Sequence, residues 1–173
     1  MKTDIDVVLC ECGLRDGLQS VSMFMPTSDK LAWLDAEAKT GMPGIEACSF
    51  VPPKLIPQFS DATEVTARAI QIRGLTVSAL IPNLKGAERG IAAGVHQLNF
   101  VMSVSASHNQ ANVRRSREES VADFANIAQL IKSLGPGKRP VLFGGLATSF
   151  GCTLEGQIAE EDVVNYAVKL AEA

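Results

Sequence analysis

No apolar run in this sequence approaches the roughly 18 residues that a membrane-spanning helix needs, so a membrane partner is excluded. A basic excess is missing too. The formal net charge is -3, which gives no electrostatic footprint for nucleic acid. Cysteines stand at 10, 12, 48 and 152, but no C-x-x-C pair or Cys/His cluster exists, and a zinc centre is not expected. Three of the four lie in or beside predicted strands, which reads as buried, reduced thiols in a cytoplasmic protein. The N-terminus carries no charged leader followed by an apolar core and enters its first strand directly, so no signal or transit peptide is expected. With one Trp and one Tyr, the core has to be aliphatic, and at 46% hydrophobic residues there is enough for a sizeable one. The length of 173 residues leaves room for a single domain.

What is present is an alternation. Apolar, β-branched runs over 5–10, 44–50, 75–81, 95–102 and 139–147 read as strands. Between them lie stretches with helical spacing. The first starts at Thr27 or Ser28 with Asp29 in its first turn, turns Leu31, Leu34, Ala38 and Trp33 inward, and stops at Gly41. The next runs over 61–73, with Val65, Ala69 and Ile72 on one face, and a short one over 86–93 ends at Gly94. Ser116 with Glu119 is a capping-box pattern opening a helix to residue 134, with Val121, Phe124, Ala125, Ala128 and Ile131 as its core stripe. The last helix starts near Glu160 and turns Val163, Val164, Ala167 and Leu170 inward. The stretch 103–112 reads as a polar loop. Five β-α repeats without a break predict a parallel sheet with right-handed crossovers. No Gly-x-Gly-x-x-Gly follows the first strand, so a dinucleotide-binding sheet lacks support.

Polar residues cluster just after each apolar run: Arg15-Asp16, Ser49, Asn83 to Lys85, Ser103 to Asn109, and Thr148 to Glu155. That placement is the rim of a TIM barrel, where active sites are built from the loops that follow the strands. A barrel needs eight strands and this chain supplies five, so the expected fold is α/β, a partial TIM barrel of about five of eight β/α units. It forms one domain over 1–173, with the C-terminal part of the barrel absent. Arg15, Asp16, Glu46, Ser49, Asn83 and His108 are expected to face one cleft. The richest stretch is Leu9 to Gln19, where Gly13 and Gly17 bracket Arg15 and Asp16. A carboxylate there suits a hard cation, and a guanidinium beside it suits a developing oxyanion. The same two residues would also serve as a structural ion pair. Glu46 stands inside an otherwise apolar strand and therefore needs a partner, for which Arg15 is the candidate. His96 is expected to pack at the opposite end of the barrel.

The segment Glu11-Cys-Gly-Leu-Arg-Asp-Gly-Leu-Gln19 resembles the first-strand motif of the 3-hydroxy-3-methylglutaryl-CoA lyase family. Three further segments match in order: Ile45-Glu-Ala-Cys-Ser-Phe-Val-Pro-Pro-Lys54 with Pro57-Gln58, then Pro82-Asn-Leu-Lys-Gly86, then Gly151-Cys152 with Glu155-Gly156. The resemblance covers essentially the whole chain. It implies a TIM-barrel metallolyase that cleaves hydroxymethylglutaryl-CoA to acetyl-CoA and acetoacetate with a divalent cation, Mg²⁺ or Mn²⁺. By the same resemblance Asp16 is a metal ligand, and Arg15 polarises the substrate oxygen and stabilises the enolate. Glu46 is an inner catalytic carboxylate. Gln19 lies near the acyl-CoA substrate, with Ser49, Asn83, Lys85 and His108 as further substrate contacts. The family's two metal-binding histidines form a His-x-His on a later strand, and His96 and His108 are not so spaced. In place of the family's Arg-Gly-Tyr-like fifth strand stands Phe143-Gly144-Gly145. A related lyase or aldolase acting on another acyl-CoA or a 2-oxo acid fits the same motifs. So does a non-catalytic half-barrel interaction module. An open barrel has two unpaired sheet edges, so a homo-oligomer is expected.

Overall fold

The computed structural model describes residues 7–173. The first-strand reading therefore begins outside the described residues. From Val7 to Leu9 the chain is exposed and not in a strand, and β1 is only Cys10–Glu11. The other strands follow the apolar runs closely: β2 Gly44–Ser49, β3 Thr76–Ile81, β4 Gln97–Ser103 and β5 Val141–Ala147. They lie side by side in chain order, every neighbouring pair parallel. The sheet curls into a half-barrel, the partial TIM barrel expected from the alternation.

Among the described residues six α-helices cover the sheet: α1 Thr27–Lys39, α2 Ala62–Ala69, α3 Leu84–Ala93, α4 Ala106–Val113, α5 Arg117–Ser133 and α6 Glu160–Glu172. Their ends obey local chemistry. Asn83 caps α3 by accepting the Gly86 amide at 3.0 Å, and α3 stops at Gly94, whose φ of 79° is the left-handed geometry that favours glycine. The capping box of α5 forms as read: Ser116 accepts from the Glu119 amide and the Glu119 carboxylate accepts from the Ser116 amide. The core stripe of α5 buries Phe124, Ala128 and Ile131 as expected and Ile127 as well, while Val121 and Ala125 are only half-buried. In α6 it is Tyr166 and Leu170 that are buried, while Val164 is exposed.

Two expectations are corrected. The helix read over 61–73 ends as α2 at Ala69, because the chain then tightens into three-residue turns, Gln71 to Arg68 and Ile72 to Ala69. The stretch 103–112 is not a loop but contains α4. No apolar stripe announces α4, which is held by polar groups instead. Ser105 caps it by accepting the His108 amide at 3.0 Å. Asn109, fully buried, accepts from the Ser103 amide. It also donates to the Arg115 and Ser116 carbonyls and to Ser120 Oγ.

The core lies between sheet and helices: Leu34, Ile45, Phe50, Phe59, Val77, Ile81, Leu98, Met102 and Ile127 are all but inaccessible. Phe100 on β4 meets Phe124 on α5 edge to face at 5.6 Å, joining sheet and helix. Helix α3 comes so close to β4 that a Cβ on Gly90 would stand 2.6 Å from Leu98 Cδ2. No described helix is long and apolar enough to cross a membrane.

Candidate active site

The loop after β1 does not run on as irregular chain. Gly13–Gly17 forms a widened, π-type helical turn in which the amides of Arg15, Asp16 and Gly17 all point at the Cys12 carbonyl, at 3.1, 2.7 and 3.4 Å. Such turns are rare and cluster at functional sites. The turn is sealed from below by Leu14 and Leu18, both buried, and from its start by the Glu11 carboxylate, which accepts the Gly13 amide at 2.6 Å. Gly13 leaves room for its neighbours: a Cβ there would lie 2.6 Å from the Trp33 ring and 2.7 Å from the Glu11 carboxylate, and both would have to shift.

This turn delivers Arg15 and Asp16 to the rim. Arg15 Nε donates to Glu46 Oε2 at 2.5 Å, and Arg15 Nη1 donates to Asp16 Oδ1 at 2.7 Å. The two carboxylates differ in setting. The Glu46 side chain is 8% exposed and that of Asp16 68%, with Arg15 between them at 19%. A buried carboxylate needs every oxygen satisfied. Glu46 Oε1 meets that need from β4, accepting from Asn99 Nδ2 at 2.7 Å, and Asn99 Oδ1 in turn accepts from Gln97 Nε2 at 2.7 Å. Cys10 and Cys12 are exposed, against the expectation of buried thiols, and partial desolvation of the Cys10 sulfur, with the Glu46 charge nearby, raises that thiol above its ordinary value.

A cleft of about 580 Å³ opens at this rim, within the usual range for small-molecule sites. Arg15, Gln19 and Asn83 line it, together with Leu55, Ile56 and Val101. Two cations the sequence reading did not single out, Arg114 and Arg115, also line it, from the end of α4. Arg115 is paired with Asp123, while Arg114 adopts a left-handed φ of 57° as the residue that ends α4. No signal in the sequence marked them, because α4 itself was unmarked.

The other candidate residues lie around the cleft rather than along it. Ser49 is fully buried and accepts the Val51 amide at 3.3 Å. Lys85 is exposed in the first turn of α3. His108 sits on α4, its Nδ1 2.7 Å from Ser103 Oγ. His96 stands at the start of β4, at the opposite end of the strands, where its Nδ1 accepts the Val77 amide at 2.9 Å. The loop after β5 is tied to α4: Glu155 accepts the Ser107 amide at 2.7 Å, Thr148 Oγ1 accepts the Ser105 amide at 3.0 Å, and Cys152 Sγ lies 3.1 Å from Ser105 Oγ.

The donor set for a divalent cation is incomplete. Asp16 offers an exposed carboxylate of the right hard-oxygen kind. Among the described residues, however, no three His, Cys, Asp or Glu side chains converge on one point. These residues do not by themselves make a metal site.

A parallel half-barrel with a guanidinium between a buried and an exposed carboxylate at its C-terminal rim defines an α/β-barrel protein with an active-site-like cleft. Comparison with known proteins narrows this class. The HMGL-like family model matches residues 6–173, and the chain belongs to that family. It is 33% identical over 166 residues to the hydroxymethylglutaryl-CoA lyase YngG of Bacillus subtilis, covering 96% of this chain and 54% of that protein. With the mitochondrial hydroxymethylglutaryl-CoA lyase of Mus musculus it shares 34% identity over 164 residues, covering 95% of this chain and 49% of the relative. Among solved structures, the HMG-CoA lyase of Bacillus subtilis superimposes with a TM-score of 0.89 at 32% identity, covering 96% of this chain and 54% of that one. An HMG-CoA lyase from A. baumannii, solved in complex with coenzyme A and 3-methylmalate, gives a TM-score of 0.83 at 38% identity, covering 95% of this chain and 53% of that one. The chain thus spans about half the length of the curated relatives it matches.

Proposed function

We propose that this chain supplies the first five β/α units of a carbon-carbon lyase that cleaves 3-hydroxy-3-methylglutaryl-CoA to acetyl-CoA and acetoacetate. The observation that carries the reading is the Arg15 guanidinium, held at the cleft wall by a 2.5 Å bond to buried Glu46. Cleavage of the carbon-carbon bond deprotonates a tertiary alcohol and leaves an enolate. A fixed guanidinium stabilises that oxyanion without having to reorganise during the reaction. Glu46 acts on Arg15 from behind. Gln19 and Asn83, on the same cleft wall, are assigned to the substrate, with Lys85 and His108 as outer contacts; Ser49, fully buried, braces the backbone after β2 instead of touching substrate. Lyases among the relatives carry the acyl-CoA name, and one neighbour holds coenzyme A, which supports an acyl-CoA as the substrate class. In this reading Asp16 would be one ligand of a divalent cation, Mg²⁺ or Mn²⁺, whose chemistry, were it bound, would be to polarise the substrate oxygen.

A second reading is favoured by one observation. Val141 and Phe143 on β5, 63% and 56% exposed, and Val7 to Leu9 beside β1 leave both margins of the sheet apolar. Such margins pair with other strands. We assign them to self-association of the chain, and this alone would account for a half-barrel that serves as an interaction module. Cytoplasmic location accords with four free cysteines.

Titration calorimetry of the 173-residue protein with hydroxymethylglutaryl-CoA tests the substrate class. Saturable binding that coenzyme A competes is expected, with no acetoacetate released on adding Mg²⁺ and only weak metal binding. A hard cation on one carboxylate keeps mostly water ligands. Absence of binding at millimolar ligand would reject the acyl-CoA assignment. Turnover by a stable monomer would show that metal ligands other than Asp16 lie within these residues.

A further inference from the structure

We infer that Asn99, oriented by Gln97, is a positioning residue for Arg15, acting through Glu46. The inference deepens the lyase reading above. Three side-chain bonds link β4 to the rim, with the donors converging on the Glu46 carboxylate from both sides. Gln97 Nε2 donates to Asn99 Oδ1, Asn99 Nδ2 donates to Glu46 Oε1, and Arg15 Nε donates to Glu46 Oε2. The amide can serve in one orientation only. Turned over, its oxygen would face the Glu46 carboxylate and its NH₂ would face the Gln97 NH₂, so two attractive contacts would become two repulsive ones.

The sheet explains how a residue on β4 reaches one on β2. Gln97 and Asn99 are two apart on one strand and so share a face. Register places Glu46 beside Ser78, and Ser78 beside Gln97, in a single row across β2, β3 and β4. Neighbouring strands are about 4.8 Å apart, so Glu46 and Asn99 have to meet across β3 over roughly two such spacings. A small residue in the middle of the row leaves that path open. Ser78 is small, and its hydroxyl is turned to the Ile45 carbonyl at 3.3 Å. The consequence for Arg15 is directional. A carboxylate held at one oxygen by Arg15 alone would swing about its own bonds. Held at both oxygens, it fixes the guanidinium plane, and a bidentate or oxyanion-facing guanidinium is useful only when its plane is fixed.

The test is the Arg15 Nε–H resonance in ¹H–¹⁵N spectra of the full 173-residue chain, assigned by its disappearance in Arg15→Lys. In Asn99→Leu it should move toward the position of exposed Arg73 and exchange with water about tenfold faster or more, as expected when a hydrogen bond to a charged group is weakened. The Arg73 signal should stay put, while the melting midpoint falls, because Glu46 Oε1 loses its donor. Gln97→Leu, at a half-exposed position, should shift the Arg15 signal the same way by less, and it keeps the test alive where Asn99→Leu fails to fold. An unmoved Arg15 resonance in the folded variants overturns the inference. A second arm measures hydroxymethylglutaryl-CoA affinity. A loss of about tenfold in Asn99→Leu is expected if the guanidinium is aimed at substrate. Undiminished affinity beside a shifted resonance overturns the positioning role. No affinity even in the unsubstituted chain rejects the substrate reading alone, and the resonance arm then decides the link between Asn99 and Arg15 by itself.

Discussion

Replacing Lys30 by Met should destabilise the protein by about 3–5 kcal/mol. Lys30 is 3% exposed on α1, and its Nζ donates to the Gln58 carbonyl at 2.6 Å and to both Asp61 oxygens at 2.7 and 2.9 Å. The ammonium also lies 4.3 Å from the Phe24 ring centroid. Asp61 has one other donor to Oδ2, Thr27 Oγ1 at 2.8 Å, so Met at 30 leaves a buried carboxylate with a single neutral partner and no counter-charge. That uncompensated charge, more than the lost contacts, sets the size of the effect. For a chain of this length it corresponds to a fall of about 6–20 °C in Tm. The perturbation also reaches the cleft. Lys30 holds the segment carrying Leu55, Ile56 and Gln58, two of which line the cleft, while Gln58 Nε2 donates to the Val21 carbonyl beyond the Arg15 turn. Urea titration followed by circular dichroism gives the stability, and the double variant Lys30→Met/Asp61→Leu isolates the charge. That double variant should recover most of the loss. If the single substitution costs less than about 1 kcal/mol, the Lys30–Asp61 pair is not the buried clasp described here and the reasoning fails.

Three more outcomes are expected. In a lyase of the proposed kind that contains this chain, Arg15→Lys should reduce turnover by on the order of 10²-fold or more, since lysine keeps the charge and loses the planar fork; acetoacetate release within a few-fold of the unsubstituted protein would make Arg15 structural. Tyr166 is pushed up to about 12, first by burial and then by its hydrogen bond to Glu118. The folded state therefore holds the phenolic proton more tightly than the unfolded state, whose Tyr has the ordinary value of 10.0. That stabilisation is complete below pH 10 and is lost as pH rises toward 12. It is the only Tyr in the chain, so absorbance at 295 nm reads it directly, and a folded-state midpoint at 10 would contradict the burial. Burial pushes the Cys48 thiol up to about 12, so a disulfide reagent at pH 8 should modify exposed Cys12 quickly, Cys10 more slowly, and Cys48 only on unfolding. Labelling of Cys48 in the native protein at the rate of Cys12 would refute this.

The β/α alternation was legible because each of β2 to β5 is a short apolar run closed by glycine, proline or a polar cluster, and a parallel sheet buries both faces of such runs. The α5 start was legible because Ser116 and Glu119 are three residues apart and act on each other. Helix α4 was not, because its stability comes from Asn109 and Ser105 bonding to backbone, and a polar stretch of that kind carries no period. Pairs of residues distant in sequence were hidden for a different reason. Glu46 announced a need for a partner, and Arg15 was the natural choice, but Asn99 lies 53 residues further on inside a strand read for its apolar members. Lys30 and Asp61, 31 residues apart, stand near the starts of two different helices, and no local pattern connects them. The sequence states which groups are costly to bury. Which distant group offsets that cost is decided by the curl of the sheet.

That distinction bears on how the rim is held. β1 contributes just two paired residues among those described, Cys10 with Gly44 and Glu11 with Ile45, too little to fix the Arg15 turn by strand pairing alone. The turn is anchored instead by side chains: Leu14 and Leu18 from below, Glu11 on the Gly13 amide, and Arg15 on Glu46. Arg15 therefore has two duties. Its Nε edge fastens the turn to β2, and its Nη1 meets Asp16, the exposed carboxylate. A buried charge such as Glu46 gives little net stability by itself, because desolvation offsets most of the attraction. Its place in an otherwise apolar strand is better explained by direction than by strength. It converts a short, weakly paired first strand into a fixed platform for one guanidinium, and does so from the central strands of the sheet, which are paired on both sides.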